Sequence, residues 1–173
     1  MTDPLIIDNT ITGKKIFKCS PLEEEIFLSK GIMITETDIN GIITYANRKF
    51  REITGFSYKE LIGSPHSIVR HPDMPQGLFR GMWKTIVLKK TWCGYIKNMR
   101  KDGKFYWVLT YIQPKFDENN IIIGYVSGTK KPNYNALKEM EEKYIELYGD
   151  RYINHKFFMG GELICGDEIA SRS

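Results

Sequence analysis

The chain has 173 residues, 42% hydrophobic and 13% aromatic, with 25 basic against 21 acidic residues and a net charge of +4. That length suits one domain with a short extension at either end, and the aromatic share favours a β-rich core. The basic excess is small and dispersed, densest only from Lys97 to Lys104, which argues against a nucleic-acid partner.

Residues 1–20 contain no strong periodic segment and read as a loose lead-in. Ser20-Pro21-Leu22-Glu23 then reads as a helix start: Ser20 caps, Pro21 suits the first turn and Glu23 completes a capping box. This short cap helix is expected to end near Lys30-Gly31. Ile32 to Thr37 and Ile42 to Tyr45 alternate as strands, and the Asn40-Gly41 pair between them supplies the positive backbone angles of a hairpin turn. Asn47 opens a helix with Phe50 and Ile53 on its buried face, and Gly55 stops it. Short helical pieces, Tyr58 to Ile62 and Pro65 to Val69, lead into Arg70-His71-Pro72-Asp73-Met74-Pro75, where the two prolines exclude a regular helix.

Gln76 to Leu88 is an amphipathic helix with Leu78, Phe79, Met82, Trp83, Ile86 and Val87 at three- and four-residue steps. The period then changes to two. Thr91 to Met99, Phe105 to Gln113 and Ile121 to Gly128 are strands, joined by hairpin turns at Lys101-Asp102-Gly103 and Asp117 to Asn120. Tyr134 to Tyr148 is a charged helix with Leu137, Met140, Tyr144 and Leu147 on one side. This order predicts an α+β fold: a five-stranded antiparallel sheet with short helices and one longer helix packed on one face, enclosing a pocket. It divides the chain into an extension with its cap helix (1–30), a sensor-sized domain (31–132) and a helix with tail (133–173).

Cys19, Cys93 and Cys165 are far apart, odd in number and outside any metal-ligand spacing, so neither a disulfide framework nor a zinc site is indicated and a reducing cytoplasm is expected. The first residues lack a signal-peptide pattern, and the longest apolar runs are too short for direct membrane insertion.

Two places invite chemistry. Alternation along Trp92 to Asn98 puts Trp92, Gly94, Ile96 and Asn98 on the inward face, and Cys93, Tyr95, Lys97 and Met99 on the other. Asn98 then presents an amide to an apolar interior, where leaving it unpaired costs ~1–3 kcal/mol, so a backbone group or a ligand must satisfy it. The Arg70 to Pro75 loop is either a solvated turn with an Asp73–Arg70 ion pair, or a mouth that grips an anionic or polar cofactor group. No catalytic constellation is present: His66, His71 and His155 lack a nucleophile and orienting acid at recognisable spacing, so a non-enzymatic role is expected.

Gly41 to Lys131 resembles a PAS domain. More narrowly, Asn47, the run Ser64-Pro-His-Ser-Ile-Val-Arg-His-Pro-Asp-Met-Pro75, Met82-Trp83, Trp92-Cys-Gly-Tyr-Ile-Lys-Asn98, Arg100-Lys-Asp-Gly103 and Tyr106-Trp-Val108 are similar to the aerotaxis-receptor family. The resemblance implies non-covalent FAD and redox sensing in energy taxis. It assigns Asn47, Arg70, His71, Asp73, Phe79 and Asn98 to FAD binding, with Trp83 and Trp92 lining or neighbouring the pocket. Two departures stand out. Ser64 to Pro75 lacks the reactive cysteine of light-sensing relatives, and Val108 stands where those relatives place a flavin-bonding Asn. The receptors of that family also continue into a membrane anchor and signalling domain. The expectation is therefore a cytoplasmic PAS protein acting on a separate, membrane-anchored methyl-accepting chemotaxis-type receptor, with homodimerisation left open. The competing readings are a haem-binding gas sensor with His66 or His71 as axial ligand, a cofactor-free interaction module and, further off, a flavin-dependent reductase.

Overall fold

A computed structural model describes residues 5–148. Its centre is a five-stranded antiparallel sheet of spatial order β4-β3-β7-β6-β5, built from β3 (Met33–Thr37), β4 (Ile43–Ala46), β5 (Trp92–Met99), β6 (Phe105–Phe116) and β7 (Ile122–Lys130). The helices between β4 and β5 are α1 (Arg48–Thr54), α2 (Tyr58–Leu61), a 3-10 turn (His66–Val69) and α3 (Gln76–Val87). They meet the inner sheet face, and the α+β architecture expected from the sequence is the one observed.

Local chemistry sets most boundaries. The Asn47 side chain accepts from the Phe50 N–H to cap α1, and Gly55 ends it in the left-handed region. Ser57 and Glu60 form a reciprocal capping box on α2. In the β3–β4 turn only Gly41 has a positive φ, of 77°, while the Asp38 carboxylate accepts from the Asn40 and Ile42 N–H groups. The turn is thus held by an aspartate loop and one glycine, not by the Asn-Gly pair that the sequence suggests.

Two corrections concern the first thirty residues. No cap helix forms after Ser20. Leu22 N–H donates to Gly103 O at 2.9 Å, Ile26 N–H to Phe105 O at 2.7 Å, and Glu24 O accepts from Phe105 N–H at 3.0 Å. β7 pairs with β6 only from Leu109 onward, so the start of β6 has an unpaired edge that residues 22–26 fill. Satisfying that edge outweighs a local capping signal. The lead-in is likewise not loose: β1 (Leu5–Asp8) and β2 (Lys15–Lys18) form a separate antiparallel hairpin.

Cross-strand register puts Trp92, Gly94, Ile96 and Asn98 opposite Ile112, Thr110, Val108 and Tyr106, all on the inner face as the alternation predicts. The outer face of β5 and β6 is also buried, at Cys93, Tyr95, Met99, Trp107 and Leu109. Leu28 joins the same core, as do Leu137 and Met140 of α4 (Tyr134–Tyr148), and Tyr134 ties the two segments by accepting from the Leu28 N–H. The side chains of Tyr144 and Leu147, expected on the same stripe, lie outside the described residues, as does the chain from 149 to 173.

Candidate functional site

Between the inner sheet face and the helices lies a cavity of about 280 Å³. That is near the lower end of ligand-sized pockets, roughly 300–1,000 Å³. The sheet supplies Thr35, Ile96, Asn98, Thr110, Ile112, Ser127 and Thr129, and the opposite wall holds His66, Arg70, Phe79, Met82, Trp83 and Ile86. Apolar walls with a few polar groups suit a flat, mostly apolar ring whose edge carries hydrogen-bonding atoms.

Arg70 enters from the 3-10 turn. Its guanidinium carbon sits 3.6 Å from the centre of the Phe79 ring, and its buried Nε has no hydrogen-bond partner among the described residues. Burial lowers its pKa from the ordinary value, yet a guanidinium remains charged. Asn98 is 8% exposed and lines the same cavity. Its amide lies against Tyr106, whose own hydroxyl is buried without a well-formed hydrogen bond. Arg70 and Asn98 thus bring a guanidinium and an amide to the lining of one hollow, the groups that hold a polar-edged ligand.

His66 is the cavity group that sequence reasoning left aside as a flavin residue. Its Nε2 lies 2.9 Å from the Thr35 hydroxyl, and burial, then the Arg70 charge, pulls its pKa down to about 4. The ring is neutral at physiological pH. The hydroxyls of Thr110, Ser127 and Thr129 were missed as well. Thr110 to Thr129 and Ser127 to Thr129 are separated by 3.4 and 3.3 Å, so these groups bond one another weakly and keep capacity for a ligand. A strand residue two positions from another shows its facing in sequence, but not which stretch of the face is roofed by helices and which is hollow.

Of the residues singled out by sequence, the structure brings together Arg70, Phe79, Trp83 and Asn98. Trp83 packs edge-on against Tyr125 with centroids 5.4 Å apart, and closes one end beside Gly41. The other four lie outside the cavity lining. Asn47 spends its amide on the α1 cap and on Ile32 O. Trp92 is wholly buried with its ring folded over Gly94. His71 is 3% exposed, packs edge-on against Phe105 and accepts from the Asp73 N–H at 3.1 Å. Asp73 is exposed and pairs with Lys97 at 3.1 Å, not with Arg70. His71 and Asp73 therefore organise the loop that presents Arg70.

Residues 43–128 match the family model described as the PAS fold. Over 119 residues, 69% of this chain, it is 37% identical to the aerotaxis receptor of Escherichia coli K12. Residues 43–128 form a domain of the PAS family. The same PAS fold is shared with the light-oxygen-voltage domain of the blue-light photoreceptor aureochrome 1 in its light state. That match has a TM-score of 0.59 at 22% identity and covers 64% of this chain and 89% of that one. A second light-oxygen-voltage domain, one whose mechanism was studied with a flavin analogue, gives a TM-score of 0.57 at 19% identity, covering 66% and 86%. The chain spans only 23% of the length of the aerotaxis receptor. Among the described residues no helix is long and apolar enough to cross a membrane.

Proposed function

We propose that this PAS domain holds FAD and senses redox state, passing the signal by protein contact to a membrane-anchored methyl-accepting chemotaxis-type receptor. The reading rests on one observation above the rest: Arg70 and Asn98 line the same cavity, beside Phe79, Met82, Trp83 and Ile96. Arg70 and Asn98 would hold polar atoms of the ring, with Phe79, Trp83 and Met82 against its apolar surface. A bound flavin supplies reversible electron uptake. The chain's own part is to orient it, exclude water and stabilise negative charge beside Arg70. The likeness to the aerotaxis receptor supports energy taxis as the setting.

A haem reading has less support. His71 lies outside the cavity, His66 already engages Thr35, and a porphyrin is broader than three fused six-membered rings. The visible spectrum of purified protein tests the proposal. Paired flavin bands, released as FAD on denaturation, support it, and a Soret band or a colourless protein that takes up no added FAD overturns it.

A further inference from the structure

We propose that Lys18 is a positioning residue for the cavity: seated inside the fold on the carbonyl of Arg70, it fixes the wall segment that carries the guanidinium and makes the N-terminal hairpin part of the binding site. The Lys18 side chain is 1% exposed, and its ammonium donates to Arg70 O at 3.0 Å. Alternation along β2 puts Ile16 and Lys18 on the same buried face. An aliphatic would fill such a position at less cost, since a buried ammonium needs compensation and Lys18 has no ion pair among the described residues.

A second attachment lies at the other end of the hairpin. The Asn9 amide donates to Ile62 O at 2.8 Å and to the Ser64 hydroxyl at 3.1 Å. Thr10 gives both its N–H and its hydroxyl to Gly63 O, each at 2.7 Å. Between these attachments runs the segment 65–70, and all of it but Ile68 lines the cavity. The hairpin thus clamps a single cavity wall at both ends, and Lys18 is the clamp that touches Arg70 itself. The charges also sense one another: burial first, then Arg70, lowers the Lys18 pKa to about 8.

The inference deepens the flavin reading, and the experiment separates the two. Lys18→Met and Lys18→Gln are made in the full chain, each also with Arg70→Ala, alongside Ile16→Ala as a control for hairpin packing. One readout is FAD affinity by quenching of flavin fluorescence. The other, in flavin-free protein, is the ring-current shift that Phe79 imposes on the Arg70 side-chain protons. A folded Lys18 variant is expected to lose much of that shift and to bind FAD about tenfold more weakly, and to add nothing once Arg70 is alanine. Ile16→Ala keeps the shift. The proposal is overturned if both folded Lys18 variants retain the shift, or weaken FAD equally in the Arg70→Ala background. If wild type takes up no FAD, the flavin reading falls alone and the Arg70 shift still decides the role of Lys18.

Discussion

Arg70 and Asn98 are partners across an isolated antiparallel bridge, and both side chains line the cavity. The bridge fastens the irregular loop to the edge strand β5, beside the His71 N–H that donates to Lys97 O at 3.4 Å. A loop residue and a strand residue thereby acquire a fixed spacing that neither element supplies alone. This pairing converts a proline-bounded turn into a wall that holds polar groups in place for a ligand.

Replacing either residue should cost pigment and not fold. The Asn98 amide and the Arg70 Nε contribute little bonding within the protein, so Asn98→Ala and Arg70→Ala are expected within about 1 kcal/mol of wild-type stability. Each removes a bond to the ligand worth roughly 1–3 kcal/mol, or about 5- to 150-fold in affinity. Co-purified flavin per protein and the urea midpoint, measured on the same samples, check both halves. Full pigment in both variants would remove this cavity as the flavin site.

His71 separates loop architecture from ligand contact. Truncating a ring buried against Phe105 leaves a hole and frees the Asp73 N–H, so His71→Ala should lose about 2–4 kcal/mol of stability. Pigment should fall along with it and recover when the temperature is lowered. Arg70→Ala pigment should not recover. Titrating flavin content against temperature for the two variants distinguishes the cases.

Filling the hollow tests that it is one. Thr110 lies on the cavity floor, and its side-chain bond to Thr129 is 3.4 Å long. Thr110→Leu should exclude a flavin while changing stability by no more than about 1 kcal/mol, because the added atoms enter open space. A loss of about 3 kcal/mol, the overpacking result, would mean that the space is already filled by protein.

Part of the fold was readable because some elements carry their own boundary chemistry, as Asn47 and Gly55 at the two ends of α1 show. The inner facing of β5 followed from alternation alone, and Asn98 was found that way. Motif proximity misled elsewhere. Arg70, His71 and Asp73 are adjacent in sequence, but an extended backbone sends neighbouring side chains to opposite sides, so Arg70 enters the cavity while His71 packs on Phe105. The N-terminal hairpin was invisible because four-residue strands give little periodicity, and Lys18 reads as a surface lysine until its partner carbonyl is known.

Acid should destabilise the domain within a definable window. Burial is the first cause that lowers both His66 and His71 to about 4, from an ordinary 6.5. Between those values the unfolded chain binds more protons than the folded one, so the stability these two histidines contribute is full above pH 6.5 and is lost as pH falls toward 4. Urea midpoints across that range should drop, and His66→Gln should flatten the slope by about one proton. An unchanged slope would show that His66 is already charged in the native state.

Lys18 should show stability and binding moving in opposite directions. Its folded pKa of about 8 lies below the ordinary 10.5, so between these values the unfolded chain again binds more protons and wild-type stability rises with pH. Below pH 8 the folded state carries a penalty on the order of 3 kcal/mol for keeping the ammonium charged inside. Lys18→Met removes that penalty along with one hydrogen bond worth about 1 kcal/mol. At pH 7 the variant should therefore match or exceed wild-type stability while binding FAD more weakly, and the stability difference should shrink toward pH 10.5. Thermal melts at pH 7 and 10 measure this directly. A Lys18→Met protein several kcal/mol less stable at pH 7 would mean that the lysine serves the hairpin's own packing, since a group kept for a ligand's sake costs stability and does not supply it.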